Sequence, residues 1–481
     1  MTHPPSTPEE PAATTDAAAD TSTALLRWGP LVLFGLMLVA LARHTAAGIS
    51  DPDTLWHVLA GDHLWATHQL AGPDPLSQFT VEPWVLNQWL PELAMALANH
   101  LGGLAAVSWV SHVARIAIAL MIFVACRTVA GPLAASVAAS AAVVGTADSL
   151  SPRPQLAGFV LLGLVVVAWL RTVEDGRARW WLVGVMWVWA CCHGTWVAGV
   201  SVGGAAVLGL ALDRRLPRHQ LLRLAAVVVA GAAITVATPL GPRLYTSFTT
   251  VHAVSPYVAE WQLPTLSSPS VLVTLGLALA VPLLWAARRR RPDWTHVALW
   301  VVGAAWAASS MRTVAIGAIV LAPLAAQALD LALGRPRRAA LRAEGLLVGA
   351  AAAISIGLAA FLAVGGPRGP QHVPTAFDST LSALAPGTVV WNSDTLGGWL
   401  MWSHPTLAHT ADTRAELYGP ARARDYLTMV AGAPGWEGPF DALNPAAVVV
   451  DDTAGLVGAL EQRGWRAVAR DEGYVLLAPG G

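Results

Sequence analysis

The chain contains no lysine, and all 29 of its basic residues are arginine. We read this as biased codon composition and not as a device for phosphate binding. Charge of either sign is scarce: Asp, Glu, Lys and Arg make up 12% of the 481 residues, where a soluble domain carries about 25%. That deficit excludes an ordinary soluble enzyme. The net charge of -1 carries no information about partners, which only the placement of charge along the chain can supply, and no nucleic-acid partner is expected. Cysteine is nearly absent too. Cys126, Cys191 and Cys192 all fall in or beside apolar stretches, which argues against a disulfide framework.

What fills the chain is apolar sequence. Hydrophobic residues make up 55% of it, and mean hydropathy is +0.54. Apolar runs lie at 25–46, 104–126, 129–147, 156–172, 180–192, 195–212, 221–240, 270–287, 295–310, 313–333 and 345–364. Most are long enough to cross a bilayer core of about 30 Å. The expected fold is therefore a polytopic α-helical membrane protein of about 11 crossings, although the stretch 180–212 is short for two spans and long for one. Residues 1–24, rich in Pro, Thr, Ala and acid, are expected to form a disordered cytoplasmic tail. They offer no basic n-region and no cleavage site, so the first run should remain as a membrane helix.

Arginine sets the expected orientation. Fifteen arginines occupy four alternate loops, at Arg171, Arg177 and Arg179, at Arg214, Arg215, Arg218 and Arg223, at Arg288 to Arg291, and at Arg335, Arg337, Arg338 and Arg342. These loops should be cytoplasmic. The segment 47–103 has no arginine but carries Asp51, Asp53, Asp62, Asp74, Glu82 and Glu92, and should be a large outer loop. From about Pro367 apolar runs shorten and acids recur, which marks a C-terminal extracytoplasmic α/β domain over 367–481. Strands are expected at 389–392, 446–451, 466–469 and 473–478, with helices near 416–430 and 453–463.

The outer loop opens Asp51-Pro52-Asp53-Thr54-Leu55-Trp56-His57. Asp followed by Pro starts a helix, because the carboxylate caps free N–H groups and proline lacks the N–H that would go unpaired. Trp56, Leu59 and Leu64 recur at helical spacing, so an amphipathic helix along the outer membrane face is expected. Capping alone would explain Asp51. Two carboxylates at a membrane surface would also serve as a base or a metal site for a lipid-linked substrate.

The order of motifs resembles the GT-C superfamily of membrane glycosyltransferases, whose first outer loop bears a catalytic Asp soon after the first span. More narrowly, it is similar to a bacterial GT-C-like group. The resemblance rests on Asp51 to His57, Gly61, Pro73-Asp74-Pro75, Ser77, Phe79-Thr80, Trp84 and Trp89 to Glu92. It continues through Arg153-Pro154-Gln155, Trp189 to Gly194, Glu260-Trp261, Gly397 to Leu400, Asp412-Thr413-Arg414 and Leu417-Tyr418. Gln88 stands where that group usually has Glu. The resemblance implies a glycosyltransferase of the bacterial cytoplasmic membrane and cell envelope; the arginine bias and an odd number of crossings put the amino terminus inside and the C-terminal domain outside. It would move a sugar from a polyprenyl-phosphate donor to a saccharide, lipid or protein acceptor.

On that reading Asp51 is the first candidate for the catalytic base and Asp53 the second. Arg153 and Arg243 are candidates for the departing phosphate, and His57, His193, Glu260 and Trp261 for substrate binding. The loop 241–269, with its aromatic residues, would cover a groove for the prenyl chain. The Asp51/Asp53 pair leaves open a divalent metal such as Mg or Mn, which oligosaccharyltransferases use and related O-mannosyltransferases do not. The C-terminal domain would shape acceptor binding without carrying chemistry, its acids Asp394, Asp412, Glu416, Asp451 and Asp452 serving as caps and turns. Two alternatives share these features: a transporter or flippase of lipid-linked saccharides, and a non-catalytic assembly factor of the same fold.

Overall fold

The computed structural model describes residues 13–289, 291–334 and 339–480. Arg290, Arg335, Arg337 and Arg338, counted above among the cytoplasmic arginines, lie outside the described residues.

Every expected apolar run is helical. In chain order the membrane unit comprises α1 (Ala13–Ala40), α2 (Pro52–Thr67), α3 (Trp89–Val129), α4 (Pro132–Gly145), α5 (Gln155–Asp175), α6 (Trp181–Cys192), α7 (Trp196–Leu212), α8 (Arg218–Ala233), α9 (Thr246–Val254), α10 (Pro269–Ala287), α11 (Trp294–Ser309), α12 (Val314–Ala332) and α13 (Arg342–Gly365). Among the described residues seven helices are long and apolar enough to cross a membrane, and α4, α6 and α7 are shorter apolar helices. The count of about eleven crossings is thereby reduced to seven full-length candidates. At 12 to 17 residues, the shorter helices rise only about 18–26 Å.

Two expectations are corrected here. The stretch 13–24 is the start of α1 rather than a disordered tail, in line with the high helix propensity of its alanines; residues 1–12 lie outside the described residues. Helix α2 does not lie free on the membrane face. Leu55, Trp56, Val58 and Leu64 are buried, because α2 is wedged between α3 and the C-terminal domain. A Cβ on Gly61 would come within 2.2 Å of the Glu92 carbonyl oxygen, so glycine permits the close α2–α3 crossing.

Helix α3 runs 41 residues, about 60 Å if straight, which is twice a bilayer core. It breaks at Gly102 and Gly103, where Gly103 has φ 64°, and this separates an interfacial segment from the membrane-crossing part. Opposite its far end Glu344 of α13 binds Arg27 of α1 at 2.6 Å and Arg127 of α3 at 2.9 Å, tying three helices through one carboxylate. Apolar side chains such as Leu33, Leu36 and Phe361 face outward, as a lipid-covered surface requires.

A two-stranded ribbon, β1 (Ala71–Gly72) with β2 (Trp84–Val85), ties the loop between α2 and α3. The C-terminal domain carries α14 (Asp378–Ser382), β3 (Val389–Asn392), α15 (Gly397–Ser403), β4 (Ala408–His409), α16 (Ala415–Val430), α17 (Glu437–Leu443), β5 (Ala447–Asp451), α18 (Gly455–Gln462), β6 (Trp465–Asp471) and β7 (Tyr474–Pro479). Its sheet order is β4-β3-β5-β7-β6, with β3 parallel to β4 and β5, and β7 antiparallel to β5 and β6. The alternation of β5 sends Val448 and Val450 to one face, under α16, α17 and α18. Val449 points to the other face, where Trp399 and Leu400 continue the core into Ile49, Leu55 and Leu104 of the membrane unit. One hydrophobic core thus crosses the junction. A Cβ on Gly398 would lie 2.2 Å from the Pro52 carbonyl oxygen, so α15 rests directly on the start of α2.

Candidate active site

At this junction the chain encloses a cavity of ≈ 1960 Å³. Its walls come from the first loop, the Arg153 turn, α9 and the segment after it, Arg312 and α16.

Asp51 is the N-cap of α2. Its Oδ1 accepts the N–H groups of Asp53 at 2.9 Å and Thr54 at 3.3 Å, which leaves the carboxylate pinned to its own helix. The Nε–H of Arg153 donates to both of its oxygens, at 3.1 and 2.8 Å. Asp53, two residues on, turns to a different side of the helix and lines the cavity. Its Oδ2 takes Arg153 Nη1 at 2.9 Å, and its Oδ1 accepts the hydroxyl of Thr413. That hydroxyl in turn accepts from Trp56 Nε1 at 3.1 Å. Burial raises the Asp53 carboxyl to about 6 even though Arg153 and Thr413 pull it down, and Asp51 beside it adds to the rise.

Arg153 also donates through Nη1 to Glu260 Oε1 at 2.7 Å, and Arg312 Nη1 reaches Glu260 Oε2 at 2.7 Å. Trp261 lies under the Arg312 guanidinium, 5.4 Å from ring centroid to Cζ. Burial would raise the Glu260 carboxyl, but Arg312 and Arg153 together hold it below its usual range. Five charged groups, Asp51, Asp53, Arg153, Glu260 and Arg312, therefore form one network at the cavity wall.

The remaining predicted residues divide. His193 and Arg243 line the cavity. The His193 ring Nδ1 lies 3.0 Å from Thr195 Oγ1, and Arg243 is exposed with no ion pair among the described residues. His57 is buried behind the wall, its Nδ1 2.7 Å from Glu92 Oε1. Burial, with Arg153 and Arg312 nearby, keeps this imidazole well below its usual pKa and so neutral. Cys191 and Cys192 are buried free thiols. A resident metal does not fit the pair Asp51/Asp53: the oxygens of Asp51 are taken by Arg153 and two backbone N–H groups, and those of Asp53 by Arg153 and Thr413. No cluster of three or more His, Cys, Asp or Glu residues with metal-holding geometry occurs among the described residues.

A second cluster lies beside the first. Arg414 binds Asp412 at 2.7 Å and Asp74 of the first loop at 3.0 Å, and its guanidinium sits 5.5 Å over the Trp56 ring. Tyr418 donates to Asp412 Oδ2 at 2.7 Å. Burial would raise the Asp412 carboxyl, yet Arg414 holds it far below the usual range. Asp412 keeps the expected turn role, its Oδ1 accepting the Arg414 backbone N–H at 2.8 Å, and adds to it this ion pair, which the expectation did not include.

Sequence reasoning missed Arg312 and the direct reach of Thr413 to Asp53. A signal for Arg312 was present, because it interrupts two apolar runs on a side where the alternating loops hold almost no arginine. No short-range pattern signals Thr413, since its partner is 360 residues away.

Over most of the chain the fold is similar to that of solved GT-C membrane glycosyltransferases. Among solved structures, the chain is similar to the oligosaccharyltransferase of Archaeoglobus fulgidus, tethered with an acceptor peptide (TM-score 0.54, 14% identity, 89% of this chain and 69% of that one). It is also similar to ArnT of Cupriavidus metallidurans bound to undecaprenyl phosphate (TM-score 0.52, 15% identity, 94% of this chain and 98% of that one). A third likeness is to the mycobacterial arabinofuranosyltransferase AftD (TM-score 0.51, 15% identity, 95% of this chain but 40% of that one). At these identities the likeness establishes the fold. No family model and no curated protein sequence matches the chain.

Proposed function

We propose that the chain transfers a sugar from a polyprenyl-phosphate donor to an acceptor hydroxyl inside the junctional cavity, on the outer face of a bacterial cytoplasmic membrane. One observation carries the reading: Asp53, buried and raised to about 6, faces the cavity beside Arg153 and Arg312, where a general base and an anion seat would be required.

In this mechanism the acceptor oxygen attacks the anomeric carbon and its proton passes to Asp53. The bond from the anomeric carbon to the phosphate oxygen breaks, and its electron pair leaves with the polyprenyl phosphate. Arg312 and Arg243, both lining the cavity, offset the charge of the leaving group. Tyr245, Phe248, Val251 and Val254 give the cavity an apolar wall suited to the prenyl chain. Asp51, engaged by two backbone N–H groups and by Arg153, orients Arg153 and the start of α2; the base role falls to its neighbour. The likeness to an ArnT bound to undecaprenyl phosphate supports the donor class, and the arginine-rich alternate loops support the orientation.

The test is transfer of labelled sugar from a panel of undecaprenyl-phosphate sugars by the full chain in proteoliposomes. Transfer by the wild type that is lost in Asp53→Asn supports the reading. Labelled lipid that crosses the bilayer with its sugar still attached would replace it with transport.

A further inference from the structure

Glu260 holds the position that an incoming phosphate would need. Its two oxygens bridge Arg153 and Arg312 at 2.7 Å each, the arrangement by which two guanidinium groups bind a phosphoryl group. It is the most solvent-accessible member of the network, its side chain 42% exposed against 14% for Arg153. It also sits on a short turn, Ala259–Trp261, and not within a long helix. Charge decides the rest. Three carboxylates, Asp51, Asp53 and Glu260, already face two guanidiniums, so adding a phosphate without removing one of them would place surplus negative charge at the cavity wall.

Asp51 cannot leave without uncapping α2, and Asp53 is held by Thr413. Glu260 alone is free to swing outward, and Trp261, stacked against Arg312, lies next to it in the chain.

We propose that Glu260 is a built-in stand-in for the phosphoryl group of the ligand: it fills the Arg153–Arg312 seat when the cavity is empty and is displaced when phosphate binds. This rests on the donor class proposed above. A seat occupied by an internal anion reduces apparent affinity by the fraction of time it stays closed. Glu260 therefore tunes donor affinity and keeps the two arginines ordered between turnovers.

Titration of undecaprenyl phosphate into the full chain in nanodiscs tests this. Glu260→Gln should bind about tenfold more tightly than wild type, and Glu260→Asp, which keeps the charge but reaches less far, should fall between them. Uncharged undecaprenol should bind both proteins alike, and adding Arg312→Gln to Glu260→Gln should abolish the gain. Equal or weaker binding by Glu260→Gln, with wild type binding normally, would overturn the stand-in role and leave the proposed function untouched; this is also the result expected if Glu260 were a fixed structural bridge. Failure of both proteins to bind undecaprenyl phosphate would overturn the donor class and this inference with it. Inorganic phosphate that displaces the lipid at equal concentration would reassign the seat to a soluble anion.

Discussion

Two arginines organise the junction, and they differ in how completely they and their partners are closed off from solvent. Arg414 is 3% exposed in its side chain and holds two carboxylates, Asp412 and Asp74, with Tyr418 closing the cluster. Arg414 holds the Asp412 carboxyl far below its usual range and so ionised. Arg153, at the cavity wall, faces three carboxylates and satisfies none of them alone. Asp53 stays raised to about 6, and Glu260 must share a second arginine. A closed, dry cluster fastens two parts of a protein together. An open one at a cavity retains groups able to give up or take a proton, or to exchange partners, and perturbed groups of this kind concentrate at functional sites.

The sharpest way to break the comparison is to remove the charge of Asp53. Asp53→Asn should lower transfer by about 10²–10⁴-fold, the range for loss of a general base, with the unfolding temperature little changed. Asp51→Asn, which keeps a good N-cap residue, should cost clearly less. The reverse order, measured with one labelled donor, would return the base role to Asp51.

The closed Arg414 cluster should respond in stability and not in chemistry alone. Arg414→Ala strands two buried carboxylates, which costs about 3–5 kcal/mol. It should lower the thermal unfolding temperature and open the joint between Asp74 and the C-terminal domain to protease. Arg414→Lys should fail to rescue it, because one ammonium cannot reproduce the forked contacts. Unchanged unfolding in both variants would show that the cluster does not fasten the domains.

A smaller effect connects the two clusters through Thr413. Its hydroxyl stabilises the Asp53 carboxylate, so Thr413→Val should raise that group further. The base works ionised. Activity of the wild type should therefore fall as pH drops through about 6, close to tenfold per unit. In Thr413→Val that limb should move to higher pH while the plateau above it is largely retained. Thr413→Ser should restore the original profile. A pH profile that does not move would detach the C-terminal domain from the chemistry. The smallest expected effect is that of EDTA: with the carboxylates committed to arginine, chelation should leave the transfer rate unchanged.

How much of this could be read from the sequence follows from the range of each signal. Apolar runs are local, so the helices from α1 to α13 that contain them, and the strands β3, β5, β6 and β7, were all legible. The two-residue β4 and the short α15 and α17 were too brief to carry a period. The break at Gly102–Gly103 lay in plain view but gave no direction. The sequence ranked Asp51 before Asp53, but which of them meets the cavity was not legible, because residues two apart on a helix point to different sides and only the packed α3 and α15 determine which side that is. The contact of the C-terminal domain with the candidate site was not legible for a related reason. Thr413 and Arg414 act on Asp53, Trp56 and Asp74 across more than 300 residues, and Leu55 and Ile49 share the domain's own core.

The most direct test of this account is a cryo-EM map of the full chain in a lipid nanodisc with undecaprenyl phosphate added. The account predicts phosphate density against Arg312 and Arg153, prenyl density along Tyr245 to Val254, and an Arg414 cluster unchanged from its arrangement here. Lipid density confined to the outer surface of the membrane helices, or a phosphate seated on Arg414 with Asp412 displaced, would contradict it.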